Sequence, residues 1–184
     1  MYKRQLPDSA VVLVKQVLAM RRALLADDNP AIGRTLFNLA SLEYAVGSYR
    51  EAEPHYEEAL LRMRRAYGPE HPDVVFATGW LGRNQFDLGR RAEAERNFRW
   101  VLSVTAPNGP TPRDSVRFGR VLVTILVDQR QWTEAEPLAL RVLAIADSLK
   151  QDSLARVTAG QLATLYDATG RKEQAAQYRR LQQH

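Results

Sequence analysis

Helical phrasing that returns at a near-constant step constrains this chain more than any other feature. Gly47 and Gly89 stand 42 residues apart, as do Leu39 and Leu81, and Pro30 and Pro72. The triplet Glu51-Ala52-Glu53 comes back 42 positions on as Glu93-Ala94-Glu95, and 41 further as Glu134-Ala135-Glu136. A fainter copy stands at Gln174-Ala175-Ala176. Helical segments at such a step predict a solenoid of stacked helix pairs, since one pair cannot bury its apolar face alone. The expected fold class is all-α, with one orphan helix followed by four helix pairs.

The residues at the repeated positions fit that packing. Ala52, Ala94, Ala135 and Ala175 share one position early in each second helix. Ala40, Gly82 and Ala163 share one on the first helix, where the third pair departs with Val123. Small side chains there let paired helices approach toward the short end of the ~8–10 Å interaxial range. Gly47, Gly89 and Gly170 fall just past a first helix, where a left-handed cap residue is wanted. Arg130 stands in for glycine in the third pair, so that corner is expected to be less regular.

The stretches LASLEYAVGSYREAEPHYEEAL, LGRNQFDLGRRAEAERNF, ILVDQRQWTEAEPLALRVL and LATLYDATGRKEQAAQY resemble the tetratricopeptide repeat (TPR). The linkers GPEHPDV and ADDNPAI are similar to those of the longer repeat in kinesin light chains and their bacterial relatives. The resemblance covers nearly the whole chain from about residue 8. It implies a right-handed TPR superhelix and a binding scaffold with no catalysis of its own and no cofactor. The ending LATLYDATGRKEQAAQYRRL is also similar to the tails of bacterial serine/threonine protein kinases, which implies a second reading as a regulatory or docking module.

Residues 1–5 fit no part of the repeat and are read as an artefact or a disordered start; residues 6–184 form the array. Within it, 6–29 is the second helix of a truncated repeat, expected from Asp8 to Ala26 with Asp8 or Ser9 as cap. The complete repeats are 30–71, 72–111, 112–151 and 152–184. Their helix pairs are expected near Ala31–Val46 and Tyr49–Tyr67, Asp73–Leu88 and Arg91–Thr105, Arg113–Asp128 and Trp132–Leu149, and Asp152–Ala168 and Arg171–Gln183. The Pro/Gly-dense linker APNGPTP reads as a loop between repeats, because the period survives across it. The first helix is apolar nearly all round, so a fragment cut inside a repeat is expected, with homodimerisation through the uncovered face. The last helix is polar, as a C-terminal cap should be.

Few residues here can carry chemistry. The histidines, His55, His71 and His184, have no second ligand at metal spacing, and the chain has no cysteine. The Glu-Ala-Glu triplets recur in register with the repeat, which marks them as structural rather than as acid/base pairs. No apolar run approaches the ~18 residues of a membrane span, and no signal peptide opens the chain; the expected setting is cytoplasmic. Net charge is +5 with a sequence pI near 9.7, which fits an acidic partner or arginine spread over solvated faces.

What remains is the concave groove that the first helices of such an array line. Carried over repeat by repeat, the resemblance assigns it Arg34, Phe37, Asn38, Ser41 and Tyr44, then Phe76, Trp80, Arg83, Phe86 and Asp87. It continues with Arg117, Arg120, Thr124 and Asp128, then Gln161, Thr164 and Asp167. Aromatic and arginine side chains are those that binding hot spots favour. The expected partner is a protein or peptide presenting an extended segment with acidic and apolar residues. Phe37, Phe76 and Phe86 equally fit a packing role between helices. An RNA-binding superhelix is the rival from another class, disfavoured by Asp87, Asp128 and Asp167 along the same edge.

Overall fold

The computed structural model describes the backbone of residues 2–104 and 107–183, and the side chains of residues 9–104 and 107–182. The described residues are helical throughout, apart from short connections, and divide between Gly109 and Pro110 into two compact units. That division lies inside the APNGPTP linker, which the repeat period alone places within one array.

The first unit holds α1 (Tyr2–Leu24), α2 (Pro30–Ala45), α3 (Tyr49–Tyr67), α4 (Pro72–Asp87) and α5 (Arg91–Ser103). Each helix packs on the next, and α2 also touches α4. Thr105, the expected end of α5, lies outside the described residues. Leu18 of α1, Leu36 and Leu39 of α2, Tyr56 and Leu60 of α3, and Val74 and Ala77 of α4 build its core. The helix α1 starts before Asp8, in a run of good helix formers (Lys3, Arg4, Gln5, Leu6), so neither Asp8 nor Ser9 caps it. It turns Val11, Val14 and Leu18 inward and leaves Val12, Leu13, Val17, Met20 and Leu24 exposed.

The second unit holds α6 (Pro112–Asp128), α7 (Trp132–Ser148), α8 (Asp152–Ala168) and α9 (Lys172–Gln183), again packed in sequence, with α6 touching α8. Val116, Val142 and Ala146 are buried together, with Leu138, Ile145 and Leu154 against them. Ala175 anchors α9, whose remaining described side chains are largely exposed.

The starts of α2, α4 and α6 are fixed by side-chain caps that satisfy otherwise orphaned N–H groups. Asn29 Oδ1 accepts from the Ala31 N–H at 2.9 Å, with Pro30 in the first turn. His71 does the same for α4 through Nδ1, 3.2 Å from the Asp73 nitrogen. Thr111 caps α6, accepting from the Asp114 N–H at 3.2 Å and donating to its carboxylate at 2.6 Å.

Gly47, Gly89 and Gly170 adopt φ of +88°, +81° and +76°, as the corner position requires. Arg130 corrects the expectation of a looser third corner. It takes φ +60° itself, and its N–H donates to Val127 O at 3.0 Å while that of Gln131 reaches Leu126 O at 2.9 Å. The same two bonds close the first corner, from Gly47 to Tyr44 O and from Ser48 to Glu43 O. The cap bonds therefore impose the left-handed conformation even on a residue that disfavours it. Lys150, φ +54°, repeats the arrangement between α7 and α8.

The small repeat positions are sealed. Ala40, Ala52, Ala94, Ala135 and Ala175 are fully buried. A Cβ placed on Gly82 would lie 3.1 Å from the Phe98 ring and 3.1 Å from Asn97 Cβ. Val123, the larger residue at that position in the third pair, is also fully buried.

Candidate functional site

The first helices of the first unit lie side by side and are stitched by aromatic rings. Phe37 meets Phe76 with centroids 5.7 Å apart, Phe76 meets Trp80 at 6.2 Å, and Trp80 meets Tyr44 edge-on at 5.5 Å. Tyr56 and Tyr49 of α3 close the ladder, against Phe37 at 5.6 Å and Tyr44 at 5.1 Å. Such pairs are worth about 0.5–1.5 kcal/mol each beyond their buried area. Phe37, Tyr44, Phe76 and Trp80 are half-buried, so each joins α2 to α4 and keeps an accessible edge.

At the start of those helices is a hollow of about 240 Å³ lined by Arg34, Phe37, Asn38, Met63, Asp73 and Phe76. Its floor is aromatic and thioether. Arg34 and Asn38 stand exposed on its rim, and their side chains make no hydrogen bond or ion pair to the other described residues. Both therefore keep their donors for a ligand. Asp73 and Met63 were missed by sequence reasoning. Met63 comes from the second helix, outside the first-helix register from which the groove was read.

Further along, charge is already matched within the fold. Asp87 accepts from Arg83 Nε at 2.9 Å and from the Tyr44 hydroxyl at 2.5 Å. Burial, and next the Asp87 hydrogen bond, push the Tyr44 phenol well above its ordinary value. The Arg91 guanidinium lies over Phe86, 5.3 Å from the ring centroid. The i,i+4 spacing of Arg83 and Asp87 was a legible sign of this pairing.

In the second unit Arg117 pairs with Asp114 at 2.9 Å, one turn earlier. Gln161 Nε2 donates to the Arg120 carbonyl at 3.1 Å and to Thr124 Oγ1 at 2.6 Å, fastening α8 to α6. Thr124 and Gln161, with Asp128, Thr164, Asp167 and Arg179, border a hollow of about 520 Å³. Asp167 is paired with Arg179. Val127, Val157 and Ala163 line it beside these polar groups, and it holds no aromatic ring, unlike the hollow of the first unit. The groove residues thus divide into a set on α2 and α4 and a set on α6 and α8.

The other polar clusters brace helices. Glu43, nearly fully buried, has His55 Nδ1 at 2.7 Å and Lys15 Nζ at 3.4 Å. Glu136 takes two hydrogen bonds from Arg171, at 2.9 and 2.8 Å, and one from Tyr166 at 3.0 Å. Among the described residues no group of three His, Cys, Asp or Glu side chains could hold a metal ion. No described helix is long and apolar enough to cross a membrane.

The tetratricopeptide repeat matches residues 1–60 and, overlapping, 34–105, which together span more than half of the 184 residues. The chain belongs to the tetratricopeptide repeat family. The TPR fold is also that of the nearly identical TPR-like repeats of a Podosopora anserina protein described as a kinesin light chain. That structure is 23% identical, with a TM-score of 0.76 over 96% of this chain and 85% of that one. BtubC (BKLC) from P. vanneervenii is 20% identical, with a TM-score of 0.72 over 96% of this chain and 72% of that one. No curated protein matches. TPR repeats generally form protein–protein interaction scaffolds and are typically non-catalytic.

Proposed function

We propose that the face shared by α2 and α4 binds an extended peptide segment of a protein partner, with an apolar side chain seated in the hollow against the edges of Phe37 and Phe76. The observation that carries this reading is the pair Arg34 and Asn38, exposed and uncommitted on the rim of an aromatic hollow. A guanidinium there can hold a carboxylate with two hydrogen bonds, and Asn38 can bond the backbone of an extended strand. The partner segment therefore carries an acidic residue next to a large apolar one. A second copy of the chain is a further protein partner, met through the outward face of α1.

The test is fluorescence anisotropy with a labelled peptide library varying one acidic and one apolar position. Arg34→Ala and Asn38→Ala should each weaken the selected peptide about tenfold, the scale of a hot-spot contact, without lowering the melting temperature. Equal affinity in wild type and both variants would remove this face from consideration.

A further inference from the structure

The outward face of α1 is a row of large apolar side chains: Leu13 and Met20 are each 61% exposed, Val17 40% and Leu24 78%. Their spacing of four, three and four residues sets them in one line about 16 Å long, at 1.5 Å rise per residue. This is the seam spacing by which two helices interlock. The adjoining row, Val12, Gln16, Ala19 and Ala23, is likewise exposed and uncharged.

The basic side chains along this stretch of α1 point elsewhere. Lys15 is 3.4 Å from Glu43, Arg21 donates to the Ala31 carbonyl at 3.0 Å and to Thr35 at 2.6 Å, and Arg22 pairs with Glu58 at 2.8 Å. The strip therefore offers nothing for a charged ligand to read. It is complementary to another uncharged apolar helix face, and a second α1 presents one without bringing like charges together on the seam.

We propose that two copies of the chain pair through this face, antiparallel, about a two-fold axis between Val17 and Met20. This rests on the reading of α1 as a homodimer contact and adds its geometry. The four–three–four spacing is the same read in either direction, so antiparallel pairing puts Leu13 of each copy opposite Leu24 of the other, and Val17 opposite Met20. The contact is isologous and closed, and leaves no strip uncovered. Antiparallel alignment also opposes the two helix dipoles, which parallel alignment would set side by side.

The test uses the whole chain. Sedimentation equilibrium should give a dimer that dissociates on dilution. Val17→Glu with Met20→Glu should raise the dissociation constant at least about a hundredfold, because two carboxylates would be buried on each side, with the helical circular dichroism unchanged. A monomer at every concentration, or a dimer indifferent to this double variant, overturns the contact itself.

Orientation is read separately, which is simple in a chain with no cysteine. Leu13→Cys and Leu24→Cys, mixed and oxidised, should crosslink to each other, while neither crosslinks alone, since a disulfide needs Cα atoms within about 7 Å. Efficient crosslinking of Leu13→Cys alone would keep the dimer and overturn the antiparallel arrangement.

Discussion

Tyr44 Oη donates a 2.5 Å hydrogen bond to Asp87 Oδ2, joining the end of α2 to the end of α4 across 43 residues of sequence. One full repeat separates the two partners, so the bond ties one helix pair to the next. Tyr44→Phe should lower unfolding free energy by about 1–2 kcal/mol, the scale of a bond to a charged acceptor that is partly exposed. The effect is also pH-dependent. The folded phenol ionises well above the ordinary 10.0 of the unfolded chain. Its contribution is therefore complete below pH 10 and drains away as pH rises beyond it. Alkaline denaturation of wild type and Tyr44→Phe measures this directly, and the gap between them should narrow above pH 10.

Gly82 has little room to grow. With Phe98 and Asn97 each 3.1 Å from the point that an added methyl carbon would occupy, Gly82→Ala should destabilise by about 1–3 kcal/mol through forced repacking. Alanine is otherwise the better helix former by about 1 kcal/mol. A rise in the urea midpoint would therefore show that α4 and α5 separate more easily than their packing implies.

The non-glycine corners give the opposite expectation. Arg130 and Lys150 hold φ of +60° and +54°, where an L side chain costs about 1–2 kcal/mol. Glycine removes that strain and returns part of it as unfolded-state entropy. Arg130→Gly and Lys150→Gly should each stabilise by about 0.5–1 kcal/mol, additively, since the corners share no partner. Thermal unfolding of the two single variants and the double variant checks both magnitude and additivity.

Glu136 gives an acid-side prediction. The Arg171 guanidinium holds its carboxyl below the ordinary 4.5; burial opposes the shift and the Tyr166 hydroxyl adds to it. A depressed folded-state pKa means stability that is complete above the unfolded value and lost as pH falls through the folded one. Glu136→Gln should melt below wild type at neutral pH, and the two curves should converge as pH drops under 4.5. A gap that persists in acid would assign the loss to packing against Tyr166 rather than to charge.

The repeat was legible because it rests on side-chain volume and backbone sign, which are local. Ala52, Ala94, Ala135 and Ala175 mark the tight helix contacts, and three corner glycines mark the positive φ. Arg130 misled because the cap hydrogen bonds, a property of the whole corner, outweigh the preference of one residue. The groove was legible only as a register. That register named Phe37, Tyr44 and Trp80, but not that these rings would spend much of their surface on one another. It named Arg83 and Asp87 as separate groove positions, although their four-residue spacing already pointed to the ion pair that they form. Arg34 and Asn38 emerged as the open positions only once every neighbour was in place.

The break between Gly109 and Pro110 leaves the native chromophores unevenly shared. Of the three tryptophans, Trp80 and Trp100 fall in the first unit and Trp132 alone in the second. Tryptophan emission from a chain in which Trp80 and Trp100 are phenylalanine comes from α7 alone, while that of Trp132→Phe reports only the half that carries the aromatic ladder. Each half thus has its own intrinsic lamp, and melting or ligand response can be assigned to one of them without attaching a dye.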